Sequence, residues 1–131
     1  MTTPQFPTFE AILQKYGGIA ALKRKYVKLC NEPFMPLVID HLGDIPVGDI
    51  VSFSHTYEQN GDIMRDPEVT FLIQDGIWQP MSYQLDKLGI YQEVLVWAEG
   101  RLLKNPPQYA SLCEFAKLWG SNLKAQGFLN Q

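Results

Sequence analysis

The residues best suited to chemistry crowd into one stretch. His55, Tyr57, Glu58, Asn60, Asp62, Arg65, Asp66 and Glu68 all fall within Ser54–Phe71. Three uses compete for them. Asp62 and Asp66 can make side-chain turns while Arg65 pairs with a nearby carboxylate, giving a loop that locks itself. The same groups, held on a loop by a rigid sheet, can form a recognition surface for a ligand or partner. Glu58, Asp62, Asp66 and Glu68 also offer oxygens to a hard cation, or carboxylates to a small hydrolase, although their spacing is not that of a calcium loop. His41 and His55 lack a second ligand at i+3 or i+4, so no zinc site and no tight divalent site is expected. A nucleophile needs a base within reach. Ser52, Ser54 and His55 are close in sequence, but alternation along a strand sends the histidine to the face opposite both serines. No nucleophile elbow, phosphate-binding loop or dinucleotide glycine motif occurs, so neither a catalytic residue nor a cofactor is assigned.

These residues need elements to position them. Val51, Phe53, His55 and Tyr57 alternate with Ser52, Ser54 and Thr56, which predicts a strand over Ile50–Glu58 with His55 on its apolar face. Asn60-Gly61 supplies a tight hairpin turn, and Asp75-Gly76 another. Between them, Ile63–Pro67 reads as a short extended segment and Glu68–Gln74 as a strand. Ile77–Gln84 follows as a strand. Ile90–Trp97 is apolar on both faces, which predicts a central strand beneath a helix. Tyr91 lies there in a second polar-aromatic concentration, and joins the candidate binding residues. Upstream, Phe34–Leu42 reads as a strand with Pro36 at its start or at an edge.

Helices flank the strands. Pro4 and Pro7 should keep the chain start extended. Phe9, Ile12, Leu13 and Tyr16 then mark one helix, capped by Thr8 and stopped by Gly17-Gly18. Ile19, Leu22, Tyr26 and Leu29 mark a second, with Lys23, Arg24, Lys25 and Lys28 on its surface. Gly100–Pro107 reads as a connection. Asn105-Pro106-Pro107-Gln108 opens a last helix with a capping box. Leu112, Phe115, Ala116, Trp119 and Leu123 form its buried stripe, Gly127 ends it, and Phe128 folds back on its last turn. The order implies a single α+β domain over residues 1–131. An antiparallel sheet of about five strands carries two N-terminal helices and one C-terminal helix.

Composition limits the rest. At 131 residues, 46% hydrophobic and 19% charged, the chain can bury a core without staples. A net charge of -3 gives no footprint for nucleic acid, so binding to duplex DNA should be weak and salt-dependent. Neither a signal peptide nor a membrane span is read, and Cys30 and Cys113 read as small apolar fillers in a reducing compartment, the cytoplasm.

The block His55-Thr56-Tyr57-Glu58-Gln59-Asn60-Gly61-Asp62-Ile63-Met64-Arg65-Asp66-Pro67-Glu68-Val69-Thr70-Phe71 resembles the defining block of a family of small uncharacterised domains. Pro33–Ile39, Ser82-Tyr83, Gly89–Glu93 and Ala125–Phe128 extend the likeness over most of the chain from about residue 30. Members of that family are often encoded on plasmids, integrative elements and phages. The resemblance implies an accessory role in a mobile element and assigns no activity. The expectation is therefore a non-enzymatic protein that binds a protein partner through the 55–68 loop and adjoining sheet; an anti-defence protein that blocks a host nuclease complex is one concrete version. The alternative is a small hydrolase or metal-dependent enzyme using the acidic loop 58–68.

Overall fold

The computed structural model describes residues 5–131. Pro4 lies outside that range. Pro7, instead of extending the chain, opens helix α1 (Pro7–Lys15), where its fixed φ suits the first helical position. Thr8 is therefore no cap but a buried residue of the first turn. The backbone N–H of Phe6, the capping residue, donates instead to Glu10 Oε2 at 3.1 Å. Helix α2 (Gly18–Arg24) is shorter than its apolar stripe suggests. Val27–Leu29 leaves it to form strand β1, which buries Leu29 by pairing it with Leu37. Pairing with an existing strand outweighs a helix propensity that favours neither state strongly. The basic cluster is consequently no helix face: it runs from the end of α2 through Lys25 to Lys28 in the edge strand, where charge discourages pairing with another chain.

The remaining strands are β2 (Leu37–Ile45), β3 (Gly48–Gln59), β4 (Asp62–Gln74), β5 (Ile77–Leu85), β6 (Ile90–Glu93), β7 (Leu95–Ala98) and β8 (Arg101–Lys104). Among the described residues, β1 to β6 form a six-stranded antiparallel sheet in sequence order, and β7–β8 a separate hairpin. Six strands in the main sheet, and eight in all, exceed the expectation of about five. Asn60 and Gly61 have φ of 54° and 86°, Asp75 and Gly76 51° and 79°, and Glu99 and Gly100 53° and 76°. Positive φ at both central residues suits the twist of a two-residue hairpin. The third pair makes a hairpin of what reads in sequence as a plain connection after Gly100.

Ile90–Trp97 is not one central strand. It breaks at Val94, which is buried; its N–H donates to Met81 O at 2.8 Å and its carbonyl accepts from Asn105 N–H at 3.0 Å. Val94 and Leu95 look apolar on both faces because the chain turns a corner into the core there. The residues before the corner form an edge strand, and Tyr91 is 60% exposed.

The helices pack on the sheet face that carries Val51, Phe53, His55, Val69 and Phe71. Phe9 of α1 is the hub, with ring centroids 4.9 Å from Phe53, 5.1 Å from Phe71 and 5.4 Å from Trp119. Helix α3 (Pro106–Ala125) is capped by Asn105, whose Oδ1 accepts from Gln108 N–H at 3.3 Å; the other half of the expected capping box is not made, because the Asn105 N–H donates to Val94 O. Leu112, Ala116, Trp119 and Leu123 are buried and Phe115 half-buried. Gly127 takes φ 86°, which turns Phe128 back into the core at 0% exposure. No helix among the described residues is long and apolar enough to cross a membrane.

Candidate functional site

A register shift in the β3–β4 pair divides the chemical residues between two surfaces. Ser54 pairs with Glu68 and Thr56 with Arg65, so one residue of β3, His55, faces two of β4, Asp66 and Pro67. This is a β-bulge, and bulges re-aim side chains. Pro67 has no N–H to give the ladder, which makes it a natural bulge residue.

On the helix side of the bulge lies a cavity of about 330 Å³. Its floor and walls carry His55, Tyr83, Phe115 and Trp119, with Phe34, Asp66, Asn122 and Gln126 completing the lining. Five aromatic contacts run without a gap: Tyr83 to Phe115 at 5.1 Å, Phe115 to Trp119 at 6.3 Å, Trp119 to His55 at 5.5 Å, His55 to Phe128 at 5.6 Å, and Phe128 to Phe34 at 6.4 Å. His55 is buried, and Nδ1 lies 3.2 Å from Pro36 O. Burial lowers its pKa, only partly offset by that carbonyl, the Met35 backbone and the Asp66 charge, so the ring favours its neutral form. Burial also raises the Tyr83 pKa, and Asp66 adds to the effect, so the phenol keeps its proton. Gln126 Oε1 is buried without a hydrogen-bond partner, while the Gln126 carbonyl accepts from Asn31 Nδ2 at 2.5 Å. An unpaired buried acceptor is costly.

The opposite face of the sheet is polar. Asp40, Ser52, Thr70, Ser82 and Glu93 stand in register across β2 to β6, and Val38, Ser54, Glu68, Gln84 and Tyr91 form the next row. Ser52, Ser54, Thr70 and Ser82 are nonetheless buried, and Thr70 Oγ1 and Ser82 Oγ share a hydrogen bond. Burial raises the Glu68 pKa, with Arg65 and the Ser52 hydroxyl opposing it. Arg65 Nε lies 3.7 Å from Glu68 Oε2 and Nη1 3.9 Å from Asp86 Oδ2. These contacts are too long for a two-pronged Arg–carboxylate pair. The firmer tie is through the backbone, where Arg65 N–H donates to Asp86 Oδ2 at 2.9 Å. The Tyr91 pKa is raised by burial, then by Glu93 beside it.

The nine residues singled out from the sequence therefore do not form one site. His55 and Asp66 meet in the cavity. Arg65, Glu68 and Tyr91 share the polar face. Glu58, Asn60 and Asp62 are exposed at the tip of the β3–β4 hairpin, and Tyr57 is half-buried below it. Sequence reasoning missed Phe34, Tyr83, Phe115, Trp119, Asn122 and Gln126 as site residues, and Asp86 as the partner of Arg65. A signal was present: Phe115, Trp119, Asn122 and Gln126 are spaced by four, three and four, so polar residues continue an apolar helical stripe. Cys30, read as a filler, is exposed, whereas Cys113 is half-buried and its thiol pKa is raised by burial.

Among the described residues, no group of three or more His, Cys, Asp or Glu side chains is placed to hold a metal ion. The fold and these two surfaces define an α+β domain with helices on one face of an antiparallel meander and an aromatic cavity where they meet it. The chain belongs to the family described as a domain of unknown function, DUF6908, which it matches over residues 7–129. No curated protein and no solved structure matches it.

Proposed function

We propose that this is a non-enzymatic binding protein of the cytoplasm, an accessory protein of a mobile genetic element that acts by contact with a protein partner; an anti-defence role is the concrete version. The observation that carries the binding reading is the cavity between β3, β4 and α3. It is open, walled by aromatic side chains and edged by polar groups, the composition that recognition sites favour. Its polar groups are poorly arranged for nucleophilic catalysis: Nδ1 of His55 faces a backbone carbonyl, and Ser52 and Ser54 lie on the other side of the sheet. The mobile-element role rests on the sequence resemblance alone.

The test is retention of a purified partner. Phe34, 38% exposed at the cavity edge, can be changed to Lys, which sets a cation at the rim. Partner retention by the wild type and its loss in a folded Phe34→Lys variant is expected; equal retention by both removes the cavity from the reading. A second reading, a small hydrolase, is favoured by Glu68, a carboxyl with a raised pKa among buried hydroxyls. Turnover of ester or glycoside substrates that vanishes in Glu68→Gln would establish it in place of the first.

A further inference from the structure

We propose that the cavity is a receptor for an arginine side chain of the partner protein. The inference rests on the binding reading and names the chemistry of that contact.

Charge selects the sign of the guest. Asp66 is the one acidic residue of the lining, no lysine or arginine lines the cavity, and His55 favours its neutral form. Among the described residues, Asp66 has no cationic partner: Arg65, next to it in sequence, turns through the bulge towards Glu68 and Asp86. An anion would meet an uncompensated carboxylate here, and a cation would compensate it.

The walls select its shape. Half-buried Tyr83 and Phe115 offer aromatic surface to a flat cation, and the largely buried Trp119 ring stacks on Phe115 at 25°. The acceptors select its hydrogen bonding. Gln126 is a lining residue whose Oε1 is buried without a hydrogen-bond partner, and turning this side chain into the cavity would bring that acceptor to a donor of the guest. Asp66, at another point of the lining, is a further acceptor. A guanidinium carries five N–H groups in a planar fork, reaching several acceptors while stacking on a ring; a lysine ammonium is a compact, more strongly hydrated point charge. The volume of about 330 Å³ accommodates the aliphatic stem as well as the head.

The experiment uses blocked pentapeptides with a central arginine, lysine, citrulline or glutamate between glycines. Binding is followed on the whole protein through the Trp119 indole N–H and the Asn122 and Gln126 side-chain amides by NMR. The arginine peptide should shift these signals saturably. Citrulline, equal in shape but uncharged, should bind at least about tenfold more weakly, the scale of one lost charge-assisted hydrogen bond. Asp66→Asn should weaken arginine binding by a similar factor. Equal binding of citrulline and arginine overturns the proposal without needing any variant. So does preferred binding of glutamate or lysine, no saturable shift up to about 10 mM, or free agmatine binding far more tightly than the peptide, which would point to a small metabolite. Partner retention that is lost in Phe34→Lys but undiminished in folded Asp66→Asn removes the arginine assignment and leaves the binding reading standing.

Discussion

Phe128→Ala tests how the cavity is held together. Phe128 lies just beyond helix α3, is 0% exposed, and its ring contacts both His55 and Phe34. Removing a phenyl ring withdraws on the order of 150 Å² of buried apolar surface, about 4 kcal/mol at 25 cal/mol/Å². Phe→Ala truncations in cores cost about 3–5 kcal/mol, so the two figures agree. Partial relaxation around the gap places the expected loss near the lower figure, about 3 kcal/mol. For a chain of 131 residues that lowers the melting midpoint by about 10 °C. Urea unfolding gives the free energy and thermal unfolding the midpoint. Because Phe128 backs the His55 ring, which packs against Trp119 at 5.5 Å, the variant should also shift the Trp119 indole N–H signal before any unfolding. A loss under about 1 kcal/mol, the range of surface substitutions, would show that the C-terminal turn is not part of the core. Phe128 would then not support the cavity floor.

Further outcomes follow from the same geometry. Gly127→Ala places a side chain at φ 86° and a Cβ 3.1 Å from Asn31 Nδ2, so it should cost about 1–2 kcal/mol in urea unfolding; a neutral result would mean that this turn is not held left-handed. Arg65→Lys should cost less than about 1 kcal/mol, because the guanidinium is 44% exposed and its contacts are 3.7 and 3.9 Å; a larger loss would require a tighter pair than the structure shows. Glu68→Gln should stabilise the protein near neutral pH. The folded pKa of Glu68 is raised above its ordinary 4.5, so the fold gains stability as pH falls through that raised value, and the variant's advantage should vanish below 4.5. His55 works in the opposite sense. Its pKa is lowered from 6.5, so the unfolded chain takes up the proton first and stability is lost as pH falls below 6.5. In His55→Phe that acid loss should shrink; urea midpoints across the acid range that overlay the wild type would show that His55 is not held neutral.

The parts of the fold that were legible are those governed by local rules. Asn105 capping α3, Gly127 ending it and Phe128 folding back are each set by a few consecutive residues. So are the turns at Asn60-Gly61 and Asp75-Gly76. What was not legible depends on distant partners. Val27–Leu29 looks like the end of a helix until β2 is present to pair with it. Val94 looks like the middle of a strand until Met81 and Asn105 take its backbone groups and turn the chain. The site suffered in the same way: His55 and Asp66 could be picked out as polar residues near a turn, but the helix residues opposite them are more than 45 positions later in the sequence. The spacing of Asn122 and Gln126 puts them on the Trp119 stripe, but only the folded chain shows that this end of the stripe meets a cavity.

The bulge explains why one acidic stretch serves two surfaces. Had β3 and β4 paired without it, strict alternation would have kept Asp66 and Glu68 on the same face, and Arg65 on the other. Four carboxylates and one guanidinium would then have been poorly matched: Asp66 crowded beside Glu68, and Arg65 turned towards the aromatic core. Setting His55 against Asp66 and Pro67 shifts the alternation by one residue. Arg65 is moved to the face of Glu68 and Asp86, where it offsets their charge, and Asp66 is left at the cavity without a cation. Glu68 has a raised pKa because burial outweighs Arg65, and Asp66 keeps an unmet charge because Arg65 is spent elsewhere. Replacing Pro67 with a residue that can donate to the ladder removes a local obstacle to regular pairing. If regular pairing then forms, Arg65 is returned towards the cavity, and the arginine peptide should be excluded by a cation the protein itself supplies.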